Sequence, residues 1–318
     1  MGILLSIILL IVGFVLLIKS ADVFVDGCSN VAKFFGIPTL IIGLTIVAFG
    51  TSAPEAAVSL SAALKGNNAI SIGNVVGSNI ANLLLILGTC GLFSSLTAKK
   101  KIITRDFVYS LLATLVLFIM VATPFIHGET EALLTRENGL ILLCFLGIYV
   151  YSLIIEAKAS SKKEEKQEKT KFNFKNILFI VLGLLGIILG GQLVVDSATK
   201  IAKAIGVSDH VIALTVIAIG TSLPELVTSI VATRKGEVDI AIGNVIGSNI
   251  FNVLFILGIT SVVCPLSVVT VSFIDIIIMM AISVLVYIFT LKNYRIGHLK
   301  GKIMLTLYVA YTIYVLVR

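Results

Sequence analysis

The phrase Gly-Thr-Ser-x-Pro-Glu occurs twice, at Gly50 to Glu55 and Gly220 to Glu225, and each copy lies inside a hydrophobic stretch long enough to cross a bilayer. Glu55 and Glu225 therefore fall at lipid depth, where insertion costs about 2.5–3.5 kcal/mol per acidic residue. A second phrase, Gly-Asn-Val-x-Gly-Ser-Asn-Ile-x-Asn, occurs at Gly73 to Asn82 and at Gly243 to Asn252, and both phrases repeat at a spacing of 170 residues. Residues 42–88 and 212–258 share 27 identities in 47 positions without a gap. This is duplication rather than shared hydrophobicity.

Hydrophobic residues fill 58% of 318 positions, charged residues only 13%, and the mean hydropathy is +1.11. Those values exclude an ordinary soluble domain. A membrane helix needs roughly 20 apolar residues, and ten stretches qualify, at 3–19, 38–64, 69–96, 107–126, 139–155, 176–195, 210–233, 239–265, 268–291 and 302–317. The expected fold is an all-α polytopic membrane protein of ten transmembrane helices. Five spans separate equivalent points of the repeat, an odd number, so the second copy must enter the membrane upside down. The halves are then two inverted five-helix repeats at 1–155 and 176–318, an arrangement of transporters that bind substrate near the midplane.

Residues 156–175 between the halves carry seven Lys and four Glu and are read as a flexible linker, with a weak contact to anionic lipid headgroups as the alternative. Ile3 to Ile18 lacks a basic flank and a small-residue cleavage site, so it is read as a retained first span. With both termini on one face, 19 of the 24 Lys and Arg collect in loops on the opposite side. The positive-inside bias makes that side cytoplasmic, places the linker there and puts both termini outside. These loops account for the net charge of +7, which leaves no reason to expect a nucleic-acid partner. Cys28, Cys90, Cys144 and Cys264 lack CxxC spacing and read as packing residues. His127, His210 and His298 fall near span ends, as solvated or capping groups.

The chemistry concentrates at one depth. Glu55 and Glu225 lie near the middles of spans two and seven, Asn82 and Asn252 near the middles of spans three and eight. Taken singly, a membrane proline is a kink and a membrane Ser or Thr bonds its own backbone; two midplane acids have no such ordinary use. Pro54 and Pro224 lack an N–H, and Gly50 and Gly220 weaken the preceding turn, so both helices should break there. Carbonyls around Ala48, Thr51, Ala218 and Thr221 are expected to be freed, which at membrane depth requires burial or an aqueous cavity. The hydroxyls of Thr51, Ser52, Thr221 and Ser222 add oxygens, as do Ser78, Asn82, Ser248 and Asn252 from neighbouring spans. Such an all-oxygen shell suits calcium or sodium, whereas the thiolates and imidazoles that favour transition metals are missing. Two ionised glutamates balance one divalent cation, and monovalent cations or two protons neutralise the same pocket in its place. An empty pocket should take up protons, making ion binding pH-sensitive. Gly73 with Gly77, and Gly243 with Gly247, form GxxxG spacings expected to permit close helix approach. Asp26 and Asp196 sit near span ends, where solvation or capping is the default reading and a role in ion entry the alternative.

At these residues the chain resembles the calcium/cation antiporter superfamily, specifically its prokaryotic sodium/calcium exchanger-like members. The resemblance covers nearly the whole chain and rests on two alpha-repeat signatures, at 50–82 and 220–252. It implies that Glu55 and Glu225 coordinate calcium and share sodium sites. The same resemblance implies that Thr51, Ser52, Ser78, Asn82, Thr221, Ser222, Ser248 and Asn252, with the carbonyls of Ala48 and Ala218, complete the sites. Some members carry Asp where this chain has Asn252, and an acid there is tied to potassium use in one branch. Asn in both repeats thus implies potassium independence, and the short linker implies no calcium-sensing domain like that of animal exchangers. The expected activity is calcium export against sodium entry by alternating access, with spans 2, 3, 7 and 8 as the core and spans 1 and 6 moving against it. Three sodium ions per calcium is the stoichiometry that the resemblance implies. A calcium/proton exchanger is the alternative, followed by a passive cation channel and a purely structural scaffold. No enzyme activity and no cofactor are expected, and the sequence leaves oligomeric state open.

Overall fold

The helices run well past the hydropathy windows that locate them. The computed structural model describes residues 3–164, 174–206 and 218–317. Helix α1 spans Ile3–Phe35, and after a short turn Thr39–Thr51 (α2) and Ala53–Leu64 (α3) form a pair bent by 44°. Asn68–Phe93 (α4), Ile102–Ile126 (α5), Arg136–Glu164 (α6) and Phe174–Ala204 (α7) follow. The second bent pair is described from Ala218–Thr221 (α8) into Leu223–Arg234 (α9), and Val238–Val263 (α10), Thr270–Leu291 (α11) and His298–Val317 (α12) complete the chain. Eight of these helices are long and apolar enough to span a membrane, and the α2–α3 pair makes nine. The seventh expected span, 210–233, begins in residues 207–217, which lie outside the described residues together with His210.

Three helix ends lie well past the sequence expectation. Helix α1 continues past Lys19 to Phe35 and α7 past Val195 to Ala204, because charged residues end a hydropathy window without ending a helix. Asp22, Asp26, Ser29 and Lys33 consequently ride on α1 at helical spacing. Helix α6 extends to Glu164, well into the segment expected to be a linker, whose middle at 165–173 lies outside the described residues. Glu156, at the start of that segment, is tied down by Lys101 at 2.8 Å and by Arg105, which also grips buried Asp106 at 2.6 Å.

The fold is mostly helical, but two short ribbons depart from the all-α expectation. Leu96–Thr97 (β1) pairs antiparallel with Arg295–Ile296 (β4), and Glu131–Leu134 (β2) with Leu266–Val269 (β3). Each joins a loop of the first half to a loop of the second.

Burial separates centre from rim. The spanning windows of α4 and α10 are 78% and 94% buried, whereas those of α1, α6 and α12 are 17%, 17% and 11%. The rim helices turn Ile, Leu and Val outward, as lipid contact requires. Helices α1 and α7 pack antiparallel along a glycine seam: a Cβ on Gly183 would meet the Phe24 backbone at 2.9 Å, and one on Gly190 the Leu17 nitrogen at 2.8 Å. Small residues let two backbones approach where lipid gives no hydrophobic drive to association. The GxxxG of α10 works similarly, since Gly243 and Gly247 sit against Leu40, Leu44 and Ala48 of α2. Around Gly73 and Gly77 no described residue comes within 4 Å of such a Cβ.

The far end of α1 is pinned to the α9–α10 turn. Lys235 contacts Asp26 at 2.7 Å and Asp22 at 2.9 Å, while Ser29 donates to Glu237 at 2.5 Å. Burial opposes the charge on Lys235, yet Asp26 and Asp22 outweigh it and raise its pKa. Asp26 is thus an ion-pair partner rather than a merely solvated group. The equivalent place in the other half is a cleft of about 660 Å³ between α3 and α7, bordered by Pro54, Lys65, Asn67 and Gln192.

Candidate cation site

Ser52 and Ser222 mark the breaks, with φ/ψ of −82°/4° and −88°/4°. Both lie in the sparsely populated bridge between helical and extended backbone, a region favoured at functional sites. The following helix starts there, so Pro54 and Pro224 occupy its first turn, where a missing N–H costs nothing. Glu55 and Glu225 then fall in the first turn of α3 and α9. The positive end of each helix dipole favours a carboxylate at that position. The break therefore does more than free carbonyls.

At the first break the carbonyl of Ala48 keeps a backbone donor and a second lone pair. Ala48 O is not released, because Ser52 N–H donates to it at 3.1 Å, and the hydroxyls of Thr51 and Ser248 approach it at 3.5 Å. At the second break the Ser222 amide donates to Ile219 O at 3.1 Å.

The two halves exchange hydrogen bonds. Ser52 donates to Glu225 Oε1 at 2.9 Å, and Ser222 donates to Glu55 Oε1 at 3.3 Å. Ser78 adds a donor to Glu55 at 3.5 Å and lies 3.1 Å from Ser222. Both glutamates are 1% exposed. The groups expected to face one another across the repeat are thus brought into a single buried cluster, turned away from lipid.

Thr51 and Thr221 belong to a supporting layer. Thr51 donates to Asn244 Oδ1 at 3.0 Å, and Asn244 in turn donates to Glu225 O and Ser229 Oγ. In mirror fashion Thr221 donates to Asn74 Oδ1 at 3.3 Å, and Asn74 donates to Glu55 O and Ser59 Oγ. Asn74 and Asn244 stand inside the second phrase, yet their role depends on a cross-repeat register that spacing alone does not reveal.

Asn82 and Asn252 are each 1% exposed and each opens a π-helical turn, Asn82–Ile86 and Asn252–Leu257. Such turns recur at functional sites. Their Nδ2 groups are engaged by Asn249 and Asn79, respectively. Four buried acceptors of the cluster have no donor among the described residues: Glu55 Oε2, Glu225 Oε2, Asn82 Oδ1 and Asn252 Oδ1. Leaving a buried acceptor unsatisfied costs about 1–3 kcal/mol, more when it is charged. A hard cation supplies what all four oxygens need. No cluster of three or more His, Cys, Asp or Glu occurs among the described residues, so carboxylate, amide and hydroxyl oxygens are what this pocket offers.

The pattern of the sodium/calcium exchanger protein family matches residues 5–155 and 175–317. The chain is 38% identical over 320 residues to the putative antiporter CaxA of Alkalimonas amylolytica, covering 96% of both. It is 34% identical to the sodium/calcium exchanger MaX1 of Methanosarcina acetivorans, covering 96% of this chain and 97% of that one. Its fold superposes on the sodium-calcium exchanger NCX_Mj with a TM-score of 0.80 at 30% identity, covering 97% and 98% of the two chains.

Proposed function

The chain belongs to the sodium/calcium exchanger protein family, and we propose that within it the protein exports calcium in exchange for sodium by alternating access, at a site built on Glu55 and Glu225. It is a multi-span membrane antiporter of the calcium/cation class, not an enzyme. The observation that carries the proposal is the set of four donorless buried oxygens, two anionic and two neutral. Calcium takes six to eight oxygens and balances two carboxylates. Ser52, Ser78, Ser222 and Ser248 stand beside them to complete the shell, while Thr51 and Thr221 brace it.

Ten spans in two inverted halves, 1–155 and 176–318 joined by 156–175, form the proposed architecture. The antiparallel α1–α7 pair and the exchanged serine bonds support it. Cross-loop contacts support the alternating sidedness too: β1 with β4, Lys99 with Asp239 at 2.5 Å, and Lys101 with Glu156 all join loops assigned to the cytoplasm.

Proton coupling is the second reading, because two protonated carboxyls would offer two donors to the two amide oxygens. Everted vesicles loaded with sodium and diluted into sodium-free medium containing calcium and a protonophore distinguish the two. Calcium uptake that collapses when external sodium matches internal sodium is expected. Uptake that follows only an imposed pH gradient would overturn sodium coupling.

A further inference from the structure

The amide oxygens of Asn82 and Asn252 are buried without a donor among the described residues, and the nitrogen of each amide keeps it from turning over. Asn82 donates through Nδ2 to Asn249 Oδ1 at 2.9 Å, and Asn252 donates through Nδ2 to Asn79 Oδ1 at 3.0 Å. A half-turn of either amide would bring two acceptor oxygens together. Asn249 and Asn79 are themselves fixed, since Asn249 Nδ2 donates to Asn79 O at 3.4 Å and Asn79 Nδ2 to Asn249 O at 3.3 Å. A backbone carbonyl accepts and cannot donate. The orientation is therefore anchored in the two main chains and passed outward, each anchor serving the other repeat's asparagine. Asn79 and Asn249 are 1% and 3% exposed, so water does not compete for these bonds.

We propose that Asn79 and Asn249 are positioning residues of the cation site, holding the carboxamides of Asn82 and Asn252 with oxygen rather than NH₂ toward the ion. The proposal rests on the cation site described above. Neither residue touches the ion; each determines which face of another side chain does.

The test exploits symmetry of charge. A carboxylate presents oxygen on both sides, so Asn82→Asp makes position 82 indifferent to its orientation. Calcium binding to the purified full-length protein in sodium-free detergent is measured by titration calorimetry. Asn249→Leu is expected to weaken it about tenfold, and not to weaken it when combined with Asn82→Asp, whose carboxylate already sets an oxygen against Asn249 Oδ1 whichever way it turns. Asn79→Leu acts through Asn252, so its roughly tenfold loss persists with Asn82→Asp and disappears with Asn252→Asp. Where a leucine variant is not monodisperse, Asn249→Ala and Asn79→Ala take its place. Equal losses in both backgrounds, as a merely structural role gives, overturn the proposal, and so does unchanged binding in the single variants. A wild type that binds no calcium overturns the functional reading and this one with it, whereas a binding wild type with unaffected variants overturns this one alone.

Discussion

Ser52 and Ser222 sit where the main chain leaves helical geometry, and each spends its hydroxyl on the glutamate of the opposite half. A hydrogen bond to a charged group contributes about 1.5–3 kcal/mol. Ser52→Ala and Ser222→Ala are each expected to weaken calcium binding by roughly tenfold or more, read by the same titration. Comparable losses from Thr51→Ser, which keeps the hydroxyl, would assign the effect to packing instead. The sequence disclosed Glu55, Glu225 and their serine neighbours because a midplane acid has few ordinary uses. Asn74, Asn79, Asn244 and Asn249 were equally visible as letters of the repeated phrase. Asn79 and Asn249 bond each other's main chain across the repeat, while Asn74 and Asn244 brace the glutamate of their own repeat and accept from the opposite threonine; these contacts depend on how the helices cross and on no spacing along any one of them.

At the scale of elements, hydropathy located the spans and missed their ends. Helix α1 carries Asp22, Asp26 and Lys33 without interruption because ion pairs with the α9–α10 turn compensate those charges beyond the apolar window. The π-helical turns at Asn82 and Asn252 likewise escaped notice, since one extra residue per turn leaves no compositional trace. Gly243 and Gly247 show the opposite case, a spacing that announces a close approach which the structure realises against Leu40 and Leu44, and the α1–α7 seam uses glycine in the same way. Adding one methyl at Gly183 would place it 2.9 Å from the Phe24 nitrogen, which a backbone cannot yield cheaply. Overpacking of this kind costs about 1–3 kcal/mol. Gly183→Ala should therefore lower the melting temperature of the detergent-solubilised protein by several degrees, whereas Gly147→Ala on α6, with no described atom within 4 Å, should leave it unchanged.

For the whole molecule, each cross-loop contact named above joins loops that the Lys and Arg bias assigns to one proposed face. Alkaline phosphatase fused after residue 317 is expected to be active and a fusion at 162 inactive, since the enzyme folds only outside the cytoplasm. The reverse pattern would invert the proposed orientation while leaving every contact in place. The crossed serine bonds also tie the fate of the two breaks together. Ser52 serves the carboxylate of Glu225 and Ser222 that of Glu55, so a shift of either helix start loosens the acid on the other side as well as its own.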